Sequence, residues 1–375
     1  MGEVRALAEE HLREAADLYL RSMRGEHRPA PPSLAEYFRE IFLGNPWVTA
    51  EIPALVYLEQ GKVVGFLGVI PRPMEFRGRP IRSAVVSQFM VEREQYRGPA
   101  AFELVRHLFR GPQELTFTDG AAEAAAQVWT AAGARVARLY SFNWIRFLRP
   151  CQEARGFLDR LGGAPLRLLK AASGLVAPPI DYLLSKALAG LRPHSRYSAR
   201  LASARELLCA IQDQRGREPL RPVYTPSQFD WLMTQAARAT KLGQLRMMTV
   251  HSTGGEPAGS FVYYAKPHAA AYVLQIGWRR RDHFPEVLRA LFQDAWDQGA
   301  SAVKGQAIPQ FLTALSSEQC LFRQTESSVV GYSPDPDIMN SLLLGDTAIS
   351  RSRPGHQVRP PSTSAFIGKL HEFLK

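Results

Sequence analysis

The 375-residue sequence passes twice through one succession of elements, and this repetition limits the folds open to it more than any other feature. In residues 1–150 a short strand at Val4–Leu7 precedes a helix over Glu10–Met23, whose Leu12, Ala15, Ala16, Tyr19 and Met23 recur at helical spacing. Ser33, with Glu36 three residues on, predicts a capped second helix that stops at Gly44. Strands follow at Ala54–Glu59, Val63–Ile70 and Ile81–Glu92, with turns at Gln60–Lys62 and Arg77–Pro80. A helix over Pro99–Phe109, a strand at Leu115–Thr118, a helix over Ala121–Ala132 and a last strand at Val136–Phe147 complete the copy.

Residues 197–344 repeat the order. A strand at Tyr197–Ala202 and helices at Ala204–Gln214 and Pro226–Ala239 lead into strands at Leu245–His251, Gly259–Lys266 and Ala271–Trp278. A helix at Phe284–Gln298, a strand at Ala302–Ala307, a helix at Gln310–Ser317 and a last strand at Gln324–Tyr332 follow. The repeat is one of element order, not residue identity. It predicts an α+β fold: two tandem domains, each a mixed, mostly antiparallel sheet flanked by helices.

Between the copies, 151–196 is rich in Leu, Ala and Arg and broken by Pro165, Pro178, Pro179 and Pro193. It reads as a helical linker; peripheral contact with a membrane surface is the second reading of so apolar and basic a segment. Residues 345–375 read as a basic tail with a short terminal helix from Phe366 to Leu374. No run of about 18 apolar residues predicts a membrane span. Glu3, Glu9 and Glu10 are foreign to a secretory signal, so the expected compartment is the cytoplasm.

The 46 Lys and Arg exceed the 35 Asp and Glu, for a net charge of +11. Such a chain attracts anions. Aromatic and basic residues do not interleave as in a nucleic-acid binder, and DNA is not an expected partner. Cys151, Cys209 and Cys320 are sparse and form no CxxC, which argues against a disulfide framework and against zinc. The histidines have no metal-ligand spacing, and no metal is expected.

The chemistry is concentrated in Ser87–Leu108. There Gln95-Tyr96-Arg97-Gly98-Pro99-Ala100 fits [Q/R]-x-x-G-x-[G/A] at a strand-to-helix junction. A glycine turn lets backbone approach a ligand, and the helix start directs unpaired N–H groups and its positive dipole end at a pyrophosphate. Glu92 and Glu94, at the end of the strand before this loop, and Asp119, at the end of another strand, are candidate bases. Tyr140 is a candidate lining residue.

On this loop and the order of elements around it, residues 1–150 resemble the GNAT superfamily of acyl-CoA-dependent N-acyltransferases. The resemblance is strong in the first copy and topological in the second. It implies that acetyl-CoA or another acyl-CoA serves as co-substrate. Gln95, Arg97, Gly98, Ala100 and Ala101 would then hold the pyrophosphate, and strand backbone from Phe89 to Val91 the pantetheine arm. The amide of Val91 would polarise the thioester carbonyl, and a primary amine of a small molecule, sugar or peptide would attack it directly. Pro99 lacks one N–H of the loop. Trp129 stands where the family often carries the tyrosine that protonates the leaving thiolate. In the second copy the junction Gly277–Pro285 has no glycine at the loop position, but three arginines, Arg279 to Arg281. The same resemblance leaves two alternatives: aminoacyl transfer from tRNA, disfavoured by the intact loop, and a non-catalytic acyl-CoA-binding scaffold.

Overall fold

The computed structural model describes residues 2–92, 99–152, 192–213, 219–324 and 327–345. The predicted linker and tail therefore lie mostly outside the described residues. Two compact units emerge, and neither is continuous in sequence. One combines Met1–Ser141, Gly216–Trp231 and the chain from Gln324; the other combines Phe142–Arg215 and Leu232–Arg323. The expected contiguous spans 1–150 and 197–344 are corrected accordingly.

The first unit holds an eight-stranded sheet. Its strands are β1 (Glu3–Ala6), β2 (Leu55–Glu59), β3 (Lys62–Phe76), β4 (Arg79–Val91), β5 (Leu115–Ala122) and β6 (Arg135–Ala137), joined by β9 (Leu220–Pro222) and β15 (Ser327–Tyr332). The order is β1-β2-β3-β4-β5-β15-β6, with the unpredicted β9 paired to β3. The other unit holds β7 (Phe142–Phe147), β8 (Ser198–Leu201), β10 (Gln244–His251), β11 (Pro257–Ala265), β12 (Ala270–Trp278), β13 (Ala302–Gln306) and β14 (Leu321–Gln324). Its order, β8-β10-β11-β12-β13-β7-β14, matches the first position by position. The predicted architecture holds: among the pairings described, β4 with β5 and β12 with β13 are parallel and the rest antiparallel.

Each last strand read from the sequence proves to be two. Val136–Phe147 divides into β6 and β7, and Gln324–Tyr332 into the end of β14 and β15. β7 lies between β13 and β14 and β15 between β5 and β6, so each sheet is completed by a strand from the other half of the sequence. Local alternation cannot report this, because sheet membership is decided by distant partners.

Gln60 and Gly61 both have positive φ, as do Arg77 and Gly78. This is the backbone of the two-residue turn that matches the twist of a hairpin, and it joins β2 to β3 and β3 to β4. Ser33 does not cap its helix. The helix α2 spans Pro32–Phe38 after α1 (Leu12–Tyr19), and it starts at Pro32, whose fixed φ suits a first helical position. Along β3, Phe66 meets Phe38 of α2 and Phe42 beyond it, with ring centroids 5.4 and 5.1 Å away. Its neighbours Leu67 and Val69 join the opposite core, with Leu104 and Val105 of α3 (Pro99–Phe109) and Trp129 of α4 (Glu123–Ala131). Strand alternation thus divides α1 and α2 from α3 and α4 across one sheet.

All three cysteines are free. Cys209 is exposed, whereas burial pushes the Cys320 thiol up to about 12. The thiolate is the nucleophile, so iodoacetamide at pH 8 should alkylate Cys209 in the folded protein and spare Cys320 until denaturant is added. Peptide mapping by mass spectrometry reads both sites. The linkage has a definite sign: between the unfolded value of 9.0 and about 12, only the unfolded chain releases this proton, so stability falls as pH rises through that window.

Candidate functional site

The site is built by two strands that start together and part. β4 and β5 pair through Ser83–Leu115, Ala84–Thr116 and Val85–Phe117 and no further. β4 nevertheless continues to Val91 and β5 to Ala122. Each carries an irregularity just past the last pair. On β4, Gly68 faces Gln88 and Val69 faces Val86, so Ser87 is an extra residue. On β5, Thr118 faces Val330 and Ala121 faces Ser328, so Asp119 and Gly120 share one partner position. Such bulges bend a strand and increase its twist, which suits two strands that must part.

The opening exposes a defined set of backbone groups. The Glu92 amide donates to the Val64 carbonyl. Alternation in an antiparallel ladder then turns the amides of Val91 and Phe89 away from β3, toward the side that β5 has left. The Val91 carbonyl accepts a hydrogen bond of 3.1 Å from the Ser22 hydroxyl, which anchors the strand end. α3 begins at Pro99, with Ala100 and Ala101 buried against the sheet. The close approach depends on Gly65 of β3, where a Cβ would stand 3.0 Å from Leu104 Cδ1.

The structure thus brings Phe89, Val91 and Asp119 to the two sides of one opening, with Ala100 and Ala101 in the first turn of the following helix. Phe89 is half-buried against the α3 core and Asp119 is 6% exposed on β5. Glu92 is engaged differently: Arg21 Nη2 donates to its Oε1 at 2.7 Å, in an ion pair to the segment after α1. Glu94, Gln95, Arg97 and Gly98 lie outside the described residues. Trp129 and Tyr140 are core residues. The sequence reading missed Ser22 and the two bulges; a hydroxyl and a pairing irregularity leave no periodic signal. Among the described residues no cluster of His, Cys, Asp and Glu could hold a metal ion, and no helix is long and apolar enough to cross a membrane.

The second unit repeats the parting of its parallel strands, with larger residues at the helix start. β12 and β13 pair through Ala270–Ala302, Ala271–Val303 and Tyr272–Lys304, and Leu274 is the extra residue of β12. Where the first copy enters α3 through small residues, Phe284 stacks on Phe311 at 3.9 Å and both rings meet Trp278 edge-on. Two of the three arginines are occupied. Arg280 pairs bidentately with Asp282, and Arg281 donates to the Gln310 carbonyl.

The order of strands and helices defines a class of fold, and solved structures share it. A GCN5-related N-acetyltransferase from Anabaena variabilis matches with a TM-score of 0.59 and 11% identity, over 90% of this chain and 74% of that one. A probable N-acyltransferase from Enterococcus faecalis matches at 0.55 and 10%, over 89% and 73%. N-myristoyltransferase from Saccharomyces cerevisiae with bound myristoyl-CoA matches at 0.51 and 11%, over 88% and 77%. The chain has the fold of the GCN5-related N-acetyltransferases. No protein-family model matches the sequence, and no curated protein is significantly similar to it.

Proposed function

We propose that the protein transfers an acyl group from acyl-CoA to a primary amine, with the donor held in the β4–β5 opening of the first unit. The observation that carries this reading is the open β4 edge, with the Val91 and Phe89 amides turned to it and α3 the next helix in the chain. Pantetheine amides would pair with that edge as a missing strand does. The pyrophosphate would meet the N–H groups of Arg97, Gly98, Ala100 and Ala101, with Gln95 beside them. In the reaction the amine nitrogen bonds to the thioester carbon, the C–S bond breaks, and CoA leaves as thiolate. The Val91 amide would stabilise charge on the carbonyl oxygen, and Asp119 would accept the amine proton.

A non-catalytic acyl-CoA-binding role is the second reading. Trp129 is buried in the core, Glu92 is held by Arg21, and Asp119 is itself buried on β5, so no described residue is an evident acid for the leaving thiolate. Release of CoA thiol over a panel of amines, with acetyl-CoA and myristoyl-CoA as donors, separates the two. Turnover supports transfer; saturable donor binding with no turnover on any amine supports the scaffold. If transfer occurs, Asp119→Asn should lower kcat at least about 100-fold, the lower range for a general base. Donor affinity by calorimetry should change less than about threefold.

A further inference from the structure

We infer that a cavity of about 630 Å³ in the first unit, at the other end of β4, binds the oxyanion of a small ligand with an apolar body. The reading does not depend on the acyl-CoA proposal. The cavity lies over the β3–β4 hairpin, beside the segment from Pro46 to Ile52, and its volume is in the range of ordinary ligand pockets.

Arg72 marks the binding point. Its Cζ lies 5.3 Å from the Trp47 ring centroid and 5.9 Å from that of Tyr224, and its Nη1 is 3.4 Å from the Tyr224 hydroxyl. These rings attract the guanidinium without neutralising it. Its Nε is buried and meets no acceptor among the described residues, and the same is true of Trp47 Nε1. Both residues line the cavity.

Three carboxylates also stand on its wall, and each is already matched to a guanidinium: Glu51 to Arg82, Glu75 to Arg221 and Glu114 to Arg79. Arg72 has no such partner among the salt bridges of the described residues. A guanidinium is a donor only, so the charge of Arg72 at the cavity wall, with no carboxylate matched to it among the described salt bridges, calls for an acceptor with negative charge. Beside the polar Thr49, Ser83 and Gln228, most of the remaining wall is apolar, with Pro71, Pro73, Ile81 and Val223, and suits a hydrocarbon or aromatic body. The shared chemistry is an oxyanion on an apolar group, which a carboxylate or a phosphate ester supplies.

Benzoate and phenyl phosphate are suitable probes, with neutral benzamide as control, read by tryptophan fluorescence and by the shift in unfolding temperature. The wild type should saturate with at least one of the two oxyanions. Benzamide should bind at least tenfold more weakly, and the tighter of the two probes identifies the source of the anion. Arg72→Met should weaken that probe at least tenfold, and Trp47→Phe about threefold. Acetyl-CoA should leave the probe's affinity unchanged within twofold. No saturation of the wild type by either oxyanion, or equal affinity in a folded Arg72→Met variant, overturns the inference, as does displacement of the probe by acetyl-CoA. If Arg72→Met fails to fold, Arg72→Lys decides. It keeps the charge but loses the flat stacked group, so probe affinity equal to wild type would overturn the assignment.

Discussion

Gly98→Glu should lower the affinity for acetyl-CoA at least about 100-fold, measured by titration calorimetry beside the wild type. Three effects add. The side chain would stand where backbone must approach the pyrophosphate. Its carboxylate would repel the phosphates in a partly water-excluded setting. It would also sit one residue before α3, whose first-turn N–H groups would otherwise receive the anion. A 100-fold loss corresponds to about 2.8 kcal/mol, a moderate demand on three combined effects. The variant should keep the wild-type unfolding temperature within a few degrees, because the substitution precedes the helix in sequence and leaves the core residues Leu104 and Val105 unchanged. Micromolar binding by the wild type, lost in the variant, would assign the donor to this loop. Absence of binding by the wild type to acetyl-CoA and to myristoyl-CoA would remove the acyl-CoA reading.

Trp129→Ala should destabilise the protein by about 3–5 kcal/mol, the cost typical of deleting a large buried aromatic side chain. Trp129 is 1% exposed, and its ring meets Phe109 edge-on at 5.4 Å. Phe109 stacks in turn on Tyr332 of β15 at 4.2 Å. The cavity would therefore loosen the packing of α4 on α3 and of α3 on the strand supplied by the C-terminal half. Urea unfolding followed by circular dichroism reads the loss, as a lower midpoint at unchanged slope. Trp129→Tyr should be folded and no faster as an enzyme, because a tyrosine there faces Phe109 rather than the β4–β5 opening. A rate increase in that variant would show that the position does reach the thiolate.

Much of the molecule was legible in the sequence, and the legible parts share a cause. Gln60–Gly61 and Arg77–Gly78 marked hairpins because a turn is decided by its own residues. The helix from Pro99 was readable because its apolar side and the small residues at its start lie within one segment. The run from Ser87 to Leu108 marked a strand followed by a helix, β4 and α3 in the structure. Phe89 and Val91, chosen there, have amides turned to the open edge. The misread elements depended on partners far along the chain. Ser33 looked like a cap until Pro32 started the helix one residue earlier. β9 was invisible because three residues, Leu220 to Pro222, carry no period; β3 makes them a strand.

Composition, period and turn chemistry were enough to determine the α+β class and the doubled order of elements, since these are properties of short windows. Tertiary structure alone decided which sheet receives β7 and β15, where β4 leaves β5, and that Glu92 is bound to Arg21 while Asp119 is buried at the bulge of β5. The physical reason is that strand pairing joins groups hundreds of residues apart. Val330 meets Thr118, and Ala302 meets Phe147. No local pattern records the backbone hydrogen bonds and buried contacts that choose between such partners.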